Sequence, residues 1–240
     1  MNPTVVMVIP AYKPEQVLLE LVADLQSRGC APLVLVDDGS GPEFEPVFQQ
    51  LPLGQEVVLL RHPQNRGKGA ALKTAMAYIQ EHFPDVLGCT TLDADGQHRV
   101  EDVLRISDEL RRHPDSLILG VRSFTRSGVP LRSRVGNLVT RFVFFALVGR
   151  FIRDTQTGLR AIPLSFFAEL IALEPDRYEY ELEVLLACRK KPLRQLTIET
   201  VYIDQNRSSH FSPVRDSLRI YQTLIRCRWK SLLRVLGLAR

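Results

Sequence analysis

Asp93 and Asp95 offer the clearest chemistry in this sequence. They are separated by one residue, follow a short apolar run and precede Gly96 and Gln97. If the strand continues through them, both carboxylates point the same way, and two hard oxygen ligands on one edge suit Mg²⁺ or Mn²⁺. A simple turn is the competing interpretation, because Asp and Gly are common turn residues. A calcium-binding EF-hand loop fits poorly, since Gly96 is fourth rather than sixth from Asp93.

A glycine-rich segment could bind phosphate. Gly67, Lys68 and Gly69 open a predicted helix, where backbone N–H groups and the helix dipole attract anions. The segment has Leu72 where the dinucleotide fingerprint has its third glycine, and it lacks the Gly-Lys-Ser/Thr ending of the P-loop. A helix start with a solvated Lys68 is equally consistent with the pattern.

Two further features suggest polar ligands. Asp37 and Asp38 end a predicted strand and could accept hydrogen bonds from a base or ribose, or could simply form a turn. Seven Arg and no acidic residue lie between positions 122 and 153, and residues 206–240 hold eight basic residues against one acid. Such charge blocks indicate an anionic partner, which could be a nucleic acid, a membrane surface or a phosphorylated substrate.

These residues need a scaffold, and the apolar pattern predicts one. Helical patterns lie between short apolar runs typical of buried strands, and this alternation predicts a mostly parallel sheet with helices on both faces. Ligands bind such sheets beyond the carboxyl ends of the strands. The predicted strands are residues 4–9, 33–36, 57–60, 87–92, 117–121, 159–162 and 196–202. The predicted helices are residues 15–27, 67–82, 100–113, 134–149, 164–173 and 180–190.

Length and composition favour one globular domain with a short tail. The 240 residues are 45% hydrophobic and 24% charged, and the formal net charge is +4. Four scattered cysteines predict neither a disulfide framework nor a zinc site, which suggests a reducing cytosol. We expect no secretory signal and no membrane-spanning helix, because no apolar run approaches the roughly 20 residues needed.

Taken in order, the loop motifs resemble glycosyltransferase family 2. The matching segments are residues 8–12 (VIPAY) with Glu15, 36–40 (VDDGS), 65–71 (NRGKGAA) and 93–98 (DADGQH). Residues 154–160 (DTQTGLR) and 178–181 (YEYE) resemble the dolichyl-phosphate mannosyltransferase-like branch, which loads a sugar onto a polyprenyl phosphate. One departure is Lys13-Pro14, where the family usually has Asn-Glu or similar.

The resemblance implies a GT-A fold and assigns the site residues. Asp93, Asp95 and Gln97 would bind Mg²⁺ or Mn²⁺, and the catalytic residues would be Asp93, Asp95, Arg122, Arg134 and Arg207. The nucleotide sugar would contact Pro10, Ala11, Tyr12, Glu15, Asp37, Asp38, Lys68, Asp93, Ala94 and Asp95. The acceptor phosphate would face Arg122, Arg132, Arg134 and Arg207.

The expected function is inverting transfer of a hexose from a nucleotide-diphosphate sugar to a polyprenyl phosphate, undecaprenyl or dolichyl. One alternative is a family 2 enzyme acting on a sugar hydroxyl of a growing glycan, which would need a carboxylate base such as Asp154 or Glu181. A nucleic-acid-binding module would leave Asp93, Asp95 and Lys68 unexplained, so we expect no nucleic acid partner.

The tail predicts how the protein meets its lipid substrate. We expect a catalytic domain over residues 1–212 and a basic amphipathic helix over residues 213–240. The helix could lie on the cytoplasmic face of an anionic membrane, assisted by Phe142, Phe144 and Phe145, or could pack on the domain with these aromatic residues in its core. A separate membrane-protein partner is possible.

Overall fold

One sheet flanked by helices forms the scaffold in this computed structural model, which describes residues 4–122, 144–146, 149–174, 176–177 and 179–199. The strands are β1 Val5–Ala11, β2 Leu33–Asp37, β3 Val57–Arg61, β4 Gly88–Thr91, β5 Leu117–Arg122, β6 Arg160–Pro163 and β7 Leu193–Ile198. The α-helices are α1 Val17–Ser27, α2 Glu45–Phe48, α3 Lys68–His82, α4 Val100–Arg112, α5 Phe167–Ile171 and α6 Glu179–Ala187. Short 3₁₀ segments, Pro42–Phe44, Leu164–Phe166 and Cys188–Lys190, adjoin α2, α5 and α6.

The strands lie in the order β3-β2-β1-β4-β6-β5-β7. β1 pairs in parallel with β2 and β4, β2 with β3, and β5 with β7. β6 is antiparallel to both of its neighbours, β4 and β5. The prediction of a mostly parallel sheet is therefore confirmed.

Side-chain alternation along the strands divides the core into two layers, because successive residues of a strand face opposite sides of the sheet. Val6 and Val8 of β1 join a cluster with residues of α3, α5 and α6, whereas Val5, Met7 and Ile9 join residues of α1 and α4. Each face of the sheet is thus covered by helices, as the sequence pattern predicted. Cys30, Cys89 and Cys188 are buried free thiols within this core.

In the second half of the chain one strand boundary was wrong, and one of two open alternatives is excluded for Phe144. The last strand begins at Leu193 rather than at residue 196, because its pairing with β5 starts at Leu117 opposite Leu193. Phe144 is fully buried in the core, so it cannot assist membrane attachment, whereas Phe145 is 49% exposed. Phe142 and residues 213–240 lie outside the described residues.

Candidate active site

The candidate site lies at the carboxyl edge of β1, β2, β3 and β4. Ala11, Asp37 and Arg61 are in register across the three parallel strands β1, β2 and β3. The backbone N–H of Asp38 donates to the carbonyl of Ala11 at 2.8 Å, which joins the loops after β1 and β2. The parallel sheet therefore brings these two loops together, as expected.

Asp38 organises the loop between β3 and α3. Its two carboxylate oxygens accept four hydrogen bonds, and the residue is only 3% exposed. Oδ1 accepts from His62 Nδ1 at 2.7 Å and from the N–H of Arg66 at 2.9 Å. Oδ2 accepts from Asn65 Nδ2 at 2.9 Å and from the N–H of Gly67 at 2.8 Å. Four bonds use a carboxylate's acceptor positions, so these contacts favour a structural role for Asp38 over binding the nucleotide.

Asp37 has a different environment from its neighbour. Its Oδ1 accepts from the N–H of Ser40 at 2.9 Å, and Arg61 Nη1 lies 3.6 Å from Oδ2. The hydroxyl of Ser40 in turn accepts from the N–H of Lys13 at 2.8 Å. Lys13 has a φ of +53°, which is uncommon for a residue with a side chain. Ser40 thus ties Asp37 to the loop that carries Tyr12 and Lys13.

Lys68, the first residue of α3, carries the central contact of the site. Its Nζ lies 2.6 Å from Asp93 Oδ1 and 2.8 Å from Glu181 Oε1. Burial by itself lowers the pKa of Lys68, but the two carboxylates outweigh it and raise the pKa above its ordinary value. Burial would raise the pKa of Asp93, but Lys68 and His98 lower it well below its usual range. Lys68 and Asp93 are therefore charged at neutral pH.

Asp93 and Asp95 lie in the loop after β4, as predicted, so the condition under which both carboxylates would point the same way is not met. β4 ends at Thr91, and residues 94–95 form a turn that is completed by Gly96, with a φ of +70°. Glycine favours this conformation, which explains why the chain leaves the sheet here. The N–H of Gln97 donates to Asp95 Oδ1 at 3.1 Å.

The charges at this turn fit a cation. Burial raises the pKa of Asp95, and the charge of Asp93 raises it further. Within the described ranges, Lys68 is the one ammonium paired with the group Asp93, Asp95 and Glu181, so a divalent cation would relieve the excess of negative charge. Hard carboxylate oxygens suit Mg²⁺ and Mn²⁺. Among the described residues no group of three or more His, Cys, Asp or Glu forms a ready metal cage, so a cation here would need ligand or solvent oxygens.

The glycines around Lys68 allow close packing of two chain segments. A Cβ on Gly69 would lie 2.5 Å from Tyr180 Cβ, and one on Gly67 would lie 2.5 Å from the carbonyl oxygen of Asp176. The N–H of Ala70 donates to that same carbonyl at 2.9 Å. Both glycines therefore meet protein atoms, which is a reason for glycine that neither sequence interpretation included.

The loop over residues 154–158 forms the other wall of the site. Asp154 is fully buried and accepts from Arg122 Nε at 2.6 Å and Nη2 at 3.1 Å. Burial would raise the pKa of Asp154, but Arg122 lowers it. Gly158 lies against Asp93, and the buried hydroxyls of Thr155 and Thr157 have no hydrogen-bond partner within the described part of the chain. Arg122, expected to face the acceptor phosphate, thus binds a carboxylate of the protein.

The remaining predicted residues divide into described and undescribed ones. Pro10 and Ala11 end β1, and Tyr12 follows with 37% exposure. Glu15 is exposed just before α1, and Ala94 is half-buried in the turn after β4. Arg132, Arg134 and Arg207 lie outside the described residues, so their predicted contacts stay predictions.

Two residues of the site had received little weight from the sequence. Glu181 was quoted within the YEYE motif and considered as a base in the alternative reaction, but its carboxylate pairs with Lys68. Arg160 was quoted only within a motif, although it is buried and donates to the carbonyls of Thr155, Thr157 and Glu181. A buried Arg after a glycine-containing loop could have been noticed, but no spacing rule predicted its partners.

Comparisons with known proteins agree with this architecture. The family model described as "Glycosyl transferase family 2" matches residues 6–169. The UDP-N-acetylglucosamine–dolichyl-phosphate N-acetylglucosaminyltransferase of Methanococcus voltae is 29% identical over 82% of this chain and 86% of its own. The dolichyl-phosphate beta-glucosyltransferase of Dictyostelium discoideum is 25% identical over 84% of this chain and 63% of its own.

A solved structure supports the fold assignment. Glucosyl-3-phosphoglycerate synthase from Mycobacterium tuberculosis, in complex with Mn²⁺, UDP and phosphoglyceric acid, superposes with a TM-score of 0.67. The two chains are 18% identical, and the match covers 95% of this chain and 79% of the other. The predicted GT-A fold is confirmed. Since the family model spans well over half of the sequence, the chain belongs to glycosyl transferase family 2.

Proposed function

We propose that this protein transfers a hexose, with inversion, from a nucleotide-diphosphate sugar to a polyprenyl phosphate such as undecaprenyl or dolichyl phosphate. The observation that carries the proposal is the Lys68 ammonium, held 2.6 Å from Asp93 at the carboxyl edge of the sheet. A fixed cation beside a carboxylate pair suits a leaving group that develops negative charge on phosphate oxygens. The names of the Methanococcus and Dictyostelium relatives support the lipid phosphate as acceptor.

On the donor side, the chain supplies a nucleotide pocket and a metal site. Asp93, Asp95 and Gln97 would bind Mg²⁺ or Mn²⁺, which when bound neutralises charge on the diphosphate. The mycobacterial protein of the same fold contains Mn²⁺ and UDP, which is consistent with this assignment. Lys68 would donate to a diphosphate oxygen and so stabilise the departing nucleoside diphosphate. The nucleotide sugar would also contact Pro10, Ala11, Tyr12, Glu15, Asp37, Asp38 and Ala94, with Asp38 acting through the loop it holds.

On the acceptor side, the reaction needs positive charge rather than a base. A phosphate monoester with a second pKa near ~6 is largely ionised at neutral pH, so its oxygen is already a nucleophile. The acid-free sequence between positions 122 and 153 offers that charge, with Arg132 and Arg134, and Arg207 beyond it, as further candidates. Arg122 would contribute from the edge of this region, where it also binds Asp154.

Transfer to a sugar hydroxyl is the second candidate, and the geometry disfavours it. A hydroxyl acceptor requires a carboxylate that takes up a proton. Asp154 is bound by Arg122, which lowers its pKa, and Glu181 is bound by Lys68. Both carboxylates considered for the role therefore already have a cation as partner, and the lowered pKa of Asp154 makes it a weaker base.

We infer peripheral attachment to the cytoplasmic face of a membrane. Phe145 and Phe151 are 49% and 53% exposed and contact each other edge to face, with ring centroids 6.5 Å apart. An exposed aromatic pair next to basic residues suits an anionic lipid surface. In the part of the chain described here, no helix has the length and apolarity to cross a bilayer. A basic helix over residues 213–240 and a separate membrane-protein partner remain part of this proposal.

A two-stage experiment tests the function. A thermal-shift panel of UDP-glucose, UDP-N-acetylglucosamine and GDP-mannose with Mn²⁺ identifies the donor, because a ligand that binds the folded state raises the melting temperature. Transfer from that donor to a short-chain polyprenyl phosphate is then measured with Mn²⁺, with Mg²⁺ and with EDTA. We expect lipid-linked sugar with either metal and none with EDTA. Transfer to a glycan hydroxyl but not to the lipid phosphate would contradict the proposed acceptor.

A further inference from the structure

The Lys68 ammonium is held from two sides by carboxylates on different elements. Asp93 follows β4, and Glu181 lies in the first turn of α6. An ammonium has three N–H donors, and these two contacts use two of them, at 2.6 Å and 2.8 Å. A lysine side chain has several rotatable bonds, so one anchor leaves the ammonium free to move around it. Two anchors on different elements fix the ammonium, and they leave its third N–H for a ligand.

Arg160 fixes the backbone that carries one of these anchors. Its Nη1 donates to the carbonyl of Glu181 at 2.6 Å. Its Nε donates to the carbonyl of Thr157 at 2.8 Å, and its Nη2 donates to that of Thr155 at 3.3 Å. The planar guanidinium therefore joins the loop over residues 154–158 to the start of α6.

The cost of burying Arg160 indicates that these contacts matter. Arg160 is 3% exposed, and among the described residues no carboxylate forms an ion pair with it. A buried charge without an opposite charge is expensive unless several strong acceptors satisfy it. Here three backbone carbonyls do so, and all three lie in the two segments that flank Asp93 and Lys68.

We propose that Glu181 and Arg160 are positioning residues for Lys68: Arg160 sets the place of α6, and the Glu181 carboxylate is the second anchor that keeps the ammonium in one place beside Asp93. This inference rests on the proposed function, in which Lys68 contacts the leaving diphosphate. Without Glu181, the ammonium would keep Asp93 as its anchor but could turn about it, away from its position at the diphosphate. The predicted loss is therefore in the chemical step more than in donor binding.

The decisive test is a double-mutant cycle between Glu181 and Lys68. Glu181→Gln, Lys68→Met and the double variant are assayed with the donor from the thermal-shift panel and a short-chain polyprenyl phosphate. For Glu181→Gln we expect kcat to fall about 10- to 100-fold, as for a misplaced catalytic group, with the donor KM changed less than about 3-fold. Adding Glu181→Gln to Lys68→Met should lower kcat by less than about a further 2-fold, because a residue that acts through Lys68 has nothing left to position.

Conservative variants and a control complete the experiment. Glu181→Asp keeps a carboxylate and should therefore retain more of the wild-type kcat than Glu181→Gln. Arg160→Lys should lower kcat, because one ammonium cannot bridge three carbonyls. Glu169→Gln is the matched control, since it removes a carboxylate that pairs with Lys191 at 2.8 Å on the surface. It should leave kcat unchanged. If Arg160→Lys fails to fold, the double-mutant cycle between Glu181 and Lys68 still tests whether Glu181 positions the ammonium.

Three outcomes separate the claims. A wild-type protein that transfers no sugar to lipid phosphate contradicts the proposed function. An active wild type with an unaffected Glu181→Gln variant overturns the positioning role alone. Equal losses from Glu181→Gln in the wild-type and Lys68→Met backgrounds would also overturn it, because independent effects show that Glu181 does not act through Lys68.

Discussion

Gly158 lies directly against the carboxylate of Asp93. A Cβ at position 158 would be 2.7 Å from Asp93 Cγ and closer still to Oδ2. The Gly158 carbonyl also accepts from the Thr91 hydroxyl at 2.8 Å, which holds the loop beside the end of β4. The loop over residues 154–158 and the carboxylate that we assign to the metal therefore constrain each other.

Gly158→Ala should therefore displace Asp93 while the core stays intact. We expect kcat to fall at least about tenfold, because a misplacement near 1 Å can cost about a hundredfold, and Mn²⁺ binding to weaken. Transfer kinetics and Mn²⁺ titration calorimetry measure the two effects. Gly54→Ala is the control, since a Cβ there meets no atom within 4 Å. Equal kinetics for the two variants would show that Asp93 tolerates the added methyl group.

Asp38→Asn should destabilise the loop before α3. The amide would present N–H groups to donors that now face carboxylate oxygens, among them His62 and the N–H of Gly67. We expect a loss of roughly 3 kcal/mol in the free energy of unfolding, as when one member of a buried charged network is removed. Urea unfolding measures it. Asp24→Asn removes an exposed partner of Arg28 and should cost less than about 1 kcal/mol.

Much of the donor side of the site could be predicted from the sequence, because it depends on short-range patterns. Apolar runs ending in polar loops predicted strands, and parallel strands gather their carboxyl ends, so Asp37, Lys68 and Asp93 were expected on one edge. The reversed direction of β6 was not predicted, because an apolar run of four residues carries no information about its direction.

Contacts between residues that are far apart in the chain could not be predicted from the sequence. The Lys68 and Glu181 positions are far apart in the chain, and the segment YEYE offers two carboxylates at similar spacing, so no periodicity selects the partner of Lys68. Asp38 was assigned to the nucleotide by the family resemblance, and its place at the end of a strand was equally open to a simple turn. Its four internal hydrogen bonds became visible only with the loop folded around it.

Asp154→Asn should make the free energy of unfolding less dependent on pH in the acidic range. The folded-state pKa of Asp154 lies below its unfolded value near ~3.9, so the Arg122 pair stabilises the fold above that pH. This contribution disappears as the pH falls through the folded-state pKa. We expect the variant to lose roughly 3 kcal/mol at pH 7 and the gap from wild type to narrow below about pH 4. Urea unfolding at several pH values tests this, with Asp108→Asn as the exposed control.

Phe151→Ser combined with Phe145→Ser should weaken membrane attachment. The pair contributes apolar area that can enter the lipid interface, and both side chains are about half exposed. We expect less flotation with liposomes of anionic lipid, while transfer to a detergent-solubilised acceptor stays near wild type. Truncation after residue 213 tests the tail separately. Unchanged flotation of the double variant would exclude this pair as the contact with lipid.

Gly69→Ala distinguishes packing from phosphate binding as the reason for glycine at this position. In a helix, Ala is favoured over Gly by up to about 1 kcal/mol, so a glycine needed only for phosphate should be replaceable with a gain in ligand-free stability. The structure predicts the opposite sign. A Cβ would lie 2.5 Å from Tyr180 Cβ and 2.8 Å from the carbonyl carbon of Asp176, and the start of α6 would have to move. We expect a loss of about 1–3 kcal/mol in urea unfolding without nucleotide, typical of overpacking. Because Glu181 follows Tyr180, the same displacement should also move the carboxylate from Lys68, so kcat should fall with stability. A more stable ligand-free variant would instead favour the phosphate interpretation.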